Sequence, residues 1–558
     1  MKRYRIGLAA IALASLTVGS AAPALAAPQK AAASHVGGTL KLLYQGAFGT
    51  ADPQINYTLE GWQIEQTTAD GLVGFKKAQG TAAYTVVPDL AVAIPKPTDG
   101  GKTWVFKIRT GIKFSNGKVL QPTDVLATFQ RIFKVHGPTG SSFYGDIVGA
   151  TACLKTAATC TLKGGVIASN AKHTVTFHLT KPDGEWLQQI AVPLANIVPA
   201  STPPKDQGDK PVPGTGPYMI KSYDPNHEIV LVRNPYFKLW SKDAQPAGYP
   251  DSITERFDLT GEAEVTQVEN GQGDWIGYSV PSDRLNEIAT KYPKQVFLNQ
   301  LTANWYVPMN THLAPFTSLK ARQAVNYAVD RAATVRLFGG ANLGTPSCTI
   351  LPVGFPGHVD YCPYTKNPGT KWSAPDLAKA KALVKASGTA GQKVAIVIGD
   401  DAVNKAIGTY LQSLLNQLGW KASVKVLSNN IQFTYIQNTK NHVQISLTQW
   451  YQDYPAASDF LNVLFGCSSY NPGSDTSINI AGFCDKKIQA QMDKAEVLGA
   501  TNPTAANKIW GQVDKAVTNA SAAAVLFSPK NIDFISKRVG NFVFSDQYYF
   551  LIDQAWVQ

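Results

Sequence analysis

Residues 88–133 read PDLAVAIPKPTDGGKTWVFKIRTGIKFSNGKVLQPTDVLATFQRIF, and local signals follow one another along them in a fixed order. Asp99-Gly100-Gly101 is a hairpin-grade turn, because Asp and Gly tolerate the backbone that a tight reversal needs. Residues 103–109 alternate apolar and polar side chains, the period of a half-buried strand. Lys113-Phe114 runs into a second turn, Ser115-Asn116-Gly117. Pro122-Thr123-Asp124 then opens a helix that starts near Gln121 or Thr123, with Val125, Phe129 and Ile132 along one face.

Upstream of this block, Lys2, Arg3 and Arg5 precede a short apolar run over 6–18 and a small-x-small site, Ala24-Leu25-Ala26. That is the pattern of a cleaved export signal over residues 1–26, too short in its apolar part to span a bilayer. No Cys lies near the cleavage site, so the expected product carries no lipid anchor and is free in the periplasm or outside the cell. The formal net charge is +12, three units of it from Lys2, Arg3 and Arg5. The remaining basic residues are scattered, with no run beyond Lys76-Lys77 and Lys486-Lys487, so a solvated basic exterior fits better than a nucleic-acid surface.

Downstream, residues 37–42 read as a strand and 46–53 as a loop. Residues 173–179 and 229–232 are further strands, and Gly214-Thr215-Gly216-Pro217-Tyr218 is a tight turn ahead of a strand. A phosphate-binding glycine loop would precede a helix, so the nucleotide reading is rejected. Residues 317–331 read as one helix, and Ser373-Ala374-Pro375-Asp376 opens another that Gly388 ends. Residues 393–399, a helix over 402–418 and residues 421–427 make a β-α-β unit with parallel strands. A further strand is expected over 443–448.

The sequence carries no GxSxG elbow, HExxH helix or P-loop. His173 and His178 stand five apart on a strand, which puts them on opposite faces and excludes a metal pair. No cofactor, metal site or enzymatic activity is therefore expected. The strongest local candidate is Trp450-Tyr451-Gln452-Asp453-Tyr454-Pro455, directly after the expected strand. Ligands of open α/β sheets sit beyond the carboxyl ends of strands. An acid there, flanked by the rings of Trp450, Tyr451 and Tyr454, can hold a cation in a partly dry cleft. The six cysteines fall into three sequence-local couples in an exported chain, which argues for disulfides. Fifteen pairings are formally open. Proximity alone selects Cys153–Cys160, Cys348–Cys362 and Cys467–Cys484.

The opening block resembles extracytoplasmic solute-binding proteins of the peptide/nickel-binding family, which feed ABC importers and in which it reads "PDLA…DGktytFkLR.gvKFsdG.p.ta.DV..T". Residues 37–53 are similar to that family's "GGTL…slDP", residues 214–237 to its "GTGPY" and "rNp.Y", residues 317–331 to its "vRqAl.yAiDR" and residues 530–544 to its closing segment, so the resemblance spans roughly 37–555. It implies an α/β, two-lobed periplasmic-binding-protein fold, class II-like with an extra subdomain and a hinge between lobes. Residues 37–60, 185–300 and 516–558 would form a discontinuous first lobe, 61–184 its extension and 301–515 the second lobe. The implied ligand is a short peptide or similar solute, the partner an importer's permease, and the state a monomer. An oligosaccharide or metal chelate is the alternative ligand, and a secreted hydrolase the competing function. The resemblance gives Asp453 the role of pairing with a peptide's α-ammonium, and places Gly46, Ala47 and Phe48 in a ligand-touching loop. It also puts Tyr144, in Ser141-Ser142-Phe143-Tyr144, on the cleft, with Trp62 and Trp305 near its walls.

Overall fold

The computed structural model describes residues 35–257, 259–277, 280–281, 283–473 and 477–558; the expected export signal lies outside them. A five-stranded sheet places Thr39–Leu43 between Trp275–Ile276 and Ser252–Arg256, parallel to both. Glu228–Arg233 and Tyr218–Asp224 extend it antiparallel. Leu40 and Leu42 point inward and are wholly buried with Ile253 and Leu231, which is why the short alternating TLKLL holds its register.

The block over 88–133 supplies one strand of a three-stranded antiparallel sheet and the helix that covers it. Thr103–Lys107 pairs with Thr174–His178, which pairs with Val166–Ser169. Trp104 and Phe106 are buried while Val105 and Lys107 are exposed, so the period-2 pattern does set the buried face. The turn before it keeps Asp99, Gly100 and Gly101 at φ 51°, 64° and 97°, the left-handed region its residues were chosen for. The strand ends at Lys107 because the Arg109 amide leaves the sheet to donate to the Leu90 carbonyl at 2.9 Å. Gln121 caps the helix Pro122–Lys134, and its own amide donates to Asp124 Oδ2 at 2.8 Å. Phe129 then packs on Phe177 of the sheet, rings 4.9 Å apart.

The third sheet is organised by the twelve-residue strand Ala523–Phe534. Its first seven residues pair with Ala303–Pro308 and Gly344–Pro346, and its last five with Val296–Gln300. Ile535, just beyond, bridges to Trp275 in the first sheet. Thr448–Tyr451 lies on the other side of Ala303–Pro308. The fourth sheet sets Lys393–Gly399 parallel to Lys421–Leu427 and to Ile445–Ser446, with the helix Ala402–Gln417 as crossover. Disulfides join Cys153 to Cys160, Cys348 to Cys362 and Cys467 to Cys484.

Three sequence expectations are corrected. The helix over 317–331 is two, Leu319–Ala328 and Arg331–Phe338. Asp330 caps the second by accepting from the Ala333 amide at 2.9 Å, and the break turns Arg331 inward. There the fully buried guanidinium donates to the Ser347 and Val525 carbonyls, each at 2.8 Å. The helix Leu377–Ser387 is capped by Asp376 rather than Ser373, whose hydroxyl is engaged with Thr365. The strand over 443–448 is divided: Ile445–Ser446 stays in the parallel sheet and Thr448–Tyr451 crosses into the antiparallel one.

Candidate ligand-binding site

That division decides where the candidate acid sits. Trp450 and Tyr451 lie on the strand Thr448–Tyr451 rather than beyond its end, and Asp453 is the second residue after it. Asp453 is 7% exposed. The Tyr57 hydroxyl, just ahead of the helix Leu59–Thr68, donates to Asp453 Oδ2. The Asp453 amide donates to Asp459 Oδ2 at 2.9 Å, and the Asp453 carbonyl accepts from Gln547 Nε2 at 2.7 Å. Asp459 belongs to the helix Ala457–Phe465 and is fully buried, with Oδ1 lacking any hydrogen-bond partner among the described residues. Segments far apart in sequence, near 57, 144, 453 and 547, thus converge on one corner.

The corner is acidic, and no counter-ion stands in it among the described residues. None of the ion pairs among the described residues involves Asp453 or Asp459. Burial pushes the Asp453 carboxyl up to about 7, against the pull of the Tyr57 hydroxyl and of Asp459. Burial, and then the neighbouring charge of Asp453, holds Asp459 well above the usual carboxylate range. A buried carboxylate without a cation is costly, so such a place favours a cation supplied from outside.

Aromatic rings wall the corner. Tyr57 meets Trp450 at 6.0 Å and Trp62 at 5.6 Å, Tyr451 meets Tyr549 at 6.4 Å, and Phe143 meets Tyr454 at 5.2 Å. Trp62 is half-buried, its indole donating to the Asn56 carbonyl at 3.4 Å. Tyr144 is buried behind Phe143 and donates to the Gln189 carbonyl at 3.1 Å, with Asp453 close enough to raise its hydroxyl. Gly46, Ala47 and Phe48 are not brought to Asp453. Phe48 instead stacks on Tyr223 at 4.9 Å in the core beside the first sheet, and its carbonyl accepts from Asn56 Nδ2 at 3.0 Å. Trp305 stacks on Phe527 at 5.6 Å in the core of the β-α-β region.

Tyr57, Asp459 and Gln547 are the members that sequence reasoning missed. Asp459 left a usable trace, a lone acid in ASDFLNVLF, a helix otherwise apolar on nearly every face. Tyr57 and Gln547 left none, since only the fold brings them within reach.

Beside this corner, residues 141–185 touch 454–499. Lys181 Nζ lies 2.9 Å from Glu496 Oε2, 3.4 Å from Asp146 Oδ2 and 4.0 Å from Asp493 Oδ1. Ser458 donates to Glu185 Oε2. The Gly184 backbone comes so near Gly499 that a Cβ there would sit 2.3 Å from the Gly499 carbonyl carbon. A separate polar cavity is lined by Asp70, Lys77, Asp89, Asn196, Gln245 and Tyr548 and does not include the Asp453 corner. Among the described residues no group of three His, Cys, Asp or Glu could hold a metal, and no helix is long and apolar enough to cross a membrane.

Solved structures share this architecture. A clavulanic acid biosynthesis oligopeptide-binding protein matches with a TM-score of 0.80 at 22% identity, covering 94% of this chain and 96% of its own. A periplasmic binding protein from Helicobacter pylori, solved in complex with the peptide STSA, matches with a TM-score of 0.77 at 17% identity over 94% and 98%. The fold is thus that of the two-lobed periplasmic binding proteins. A probable D,D-dipeptide-binding periplasmic protein of Escherichia coli is 23% identical over 505 residues, 89% of each chain. The periplasmic oligopeptide-binding protein of the same organism is 21% identical over 463 residues, 80% of each. The description bacterial extracellular solute-binding proteins, family 5 Middle, matches residues 85–472, and the chain belongs to that family.

Proposed function

We propose that this protein captures a short peptide by its free amino terminus and delivers it, unaltered, to the permease of an ABC importer. The observation that carries the reading is Asp453: a buried carboxylate, oriented by Tyr57 and by the backbone contact to Asp459, with no cation of its own among the described residues. An α-ammonium supplies the missing charge and its donors, and a charge-assisted hydrogen bond in a dry site is strong. Relatives named for dipeptides and oligopeptides support the ligand class.

The ligand lies between two lobes. Residues 37–60, 185–300 and 516–558 belong to the first, 61–184 extend it, and 301–515 form the second. The crossing strands Val296–Gln300 and Ala523–Phe534 serve as the hinge, and Trp62, Trp450, Tyr451 and Tyr454 line the cleft. The chain acts outside the cytoplasm as a monomer after loss of residues 1–26, needs no cofactor and catalyses nothing.

Titrating the protein with a pool of tetrapeptides, first with free amino termini and then N-acetylated, tests this. The free pool is expected to raise the melting temperature and compact the protein in small-angle scattering, and the acetylated pool to do neither. Equal responses to both pools would refute the ammonium reading.

A further inference from the structure

Two carboxyl groups meet at this corner, and only one of them has an assigned task. Asp459 is the more deeply placed: fully buried, in a helix whose other buried members are mostly apolar, with Oδ2 held by the Asp453 amide at 2.9 Å. Its Oδ1 makes no well-formed hydrogen bond among the described residues, and the one N–H that faces the carboxyl, the Trp450 indole, is itself unpartnered. An ionised carboxylate in that position would be short of donors and without a cation. A protonated one has a donor to offer, and the 2.9 Å contact to the Asp453 amide holds the Asp459 carboxyl group beside that residue. The titratable groups facing the pair are Tyr57, Tyr144, Tyr454 and Tyr549, from separate segments, with Glu185 beyond Ser458; none is cationic. Like charges this close in a dry site do not both ionise, so one carboxyl group of the pair keeps a proton.

We propose that Asp459 is a positioning residue that acts as a neutral carboxylic acid: its O–H donates to Asp453, while its other oxygen accepts from the Asp453 amide. Together with the Tyr57 hydroxyl, it holds Asp453 anionic and in a fixed orientation for an incoming amine. This assignment rests on the peptide-capture reading and extends it: the receptor for the ammonium is a singly protonated pair rather than a lone acid. The burial penalty on Asp453 is offset in part by the Asp459 donor, which lets one carboxylate stay charged near neutral pH without an internal cation.

The arrangement separates three variants. Asp459→Asn keeps both hydrogen bonds, an amide N–H toward Asp453 and a carbonyl toward its backbone, and removes only the ability to ionise. Asp459→Ala removes both. Asp453→Asn removes the charge itself. Binding of the free-terminus tetrapeptide pool to the full chain, followed by intrinsic tryptophan fluorescence across about pH 5.5 to 8.5, reads the ionisation of Asp453. Asp459→Asn is expected to keep the wild-type affinity and pH midpoint. Asp459→Ala is expected to move the midpoint up by about one pH unit or more, because Asp453 loses a donor to its charged form. An unchanged midpoint in Asp459→Ala, or an affinity in Asp459→Asn as low as in Asp453→Asn, overturns the proposal. Carboxyl carbon NMR on the ligand-free wild type supplies a reading independent of the variants' folding. Asp459 is expected to carry the shift of a protonated acid at about pH 7, and an ionised Asp459 there overturns the role. Undiminished binding by Asp453→Asn refutes instead the ammonium reading on which this role rests.

Discussion

The Asp453–Asp459 pair has a counterpart in the same molecule, and the contrast separates a binding site from a structural one. Asp70 and Asp89 are also both buried, and burial raises both carboxyls. There the chain supplies what the pair lacks. Asp70 accepts from the Thr215 hydroxyl and from Gln245 Nε2 at 2.7 Å, and Asp89 accepts from the Trp240 indole at 2.8 Å. The Lys77 ammonium stands in the same network, 2.7 Å from Asp553 Oδ2 and 2.9 Å from the Gln66 carbonyl. Arg131 serves Asp52 in the same manner. At Asp453 the carboxyl's observed donor is a tyrosine hydroxyl, and no cation pairs with it among the described residues. Neither burial nor the lack of an ion pair marks function by itself, since Glu255 and Asp533 are also buried outside the ion pairs of the described residues. What sets Asp453 apart is that it joins both to a place just after a strand end among aromatic rings.

The largest expected effect lies on the structural side. Lys77→Met leaves Asp553, Asp70 and Asp89 buried without their ammonium. Removing one partner of a buried pair costs about 3–5 kcal/mol, so the denaturation midpoint should fall steeply. A variant as stable as the wild type would erase the distinction drawn between the two pairs.

Next comes Asp453→Asn. Loss of a buried, hydrogen-bonded partner for an ammonium corresponds to about 2–5 kcal/mol, so peptide affinity should drop by about thirtyfold or more in a calorimetric titration. Stability should hold or improve, because the wild type already pays the desolvation of a carboxylate with no cation. Parallel loss of binding and stability would place Asp453 with the structural acids instead.

The pH response sharpens the contrast without any mutation. Burial raises Asp453 and Asp514 to about 7 and Asp183 and Asp533 to about 6. These groups titrate near 3.9 in the unfolded chain, so between about pH 4 and 7 the folded state binds more protons. Their contribution to stability is therefore full below the unfolded value and lost as pH rises through 6 to 7. The ligand-free protein should melt higher at about pH 5.5 than at pH 8 in scanning calorimetry, while peptide affinity runs the other way because only ionised Asp453 holds the amine. Slopes of the same sign would separate Asp453 from ammonium binding.

The two regions also differ in how readable they are from sequence. The sheet-and-helix block over 88–133 was legible almost residue by residue, since its turns, alternation and cap are local signals. The β-α-β unit was equally plain, with Lys393–Gly399 and Lys421–Leu427 observed at the expected bounds. What failed was the reading of 317–331 and 443–448, where hydrophobic pattern continues across a break imposed by tertiary contacts of Arg331 and by a change of sheet. At the site, Asp453 was visible as an acid among rings, but its orienting partners Tyr57 and Gln547 lie 396 and 94 residues away in the chain. In the loop over 46–48 the aromatic Phe48 packs into the core, while Tyr57 further on reaches the acid.

The smallest effect concerns the contact between 141–185 and 454–499, which would hold the corner closed if the lobes move as proposed. Lys181 is shared by Glu496, Asp146 and Asp493, and its side chain is 33% exposed. Solvent screens such a group, so its contribution is about 1 kcal/mol or less, despite the three acids around it. Lys181→Met should therefore speed peptide release by about fivefold or less in stopped-flow fluorescence and leave the association rate nearly unchanged, because the ammonium acts only once the two surfaces have met. Lys181→Arg should restore slow release. The Ser458–Glu185 hydrogen bond and the close approach of Gly184 to Gly499 remain in the methionine variant, which is why release should quicken and not become uncontrolled. A loss far larger than fivefold would mean that this cluster, and not the acid that takes the amine, governs how long the ligand stays.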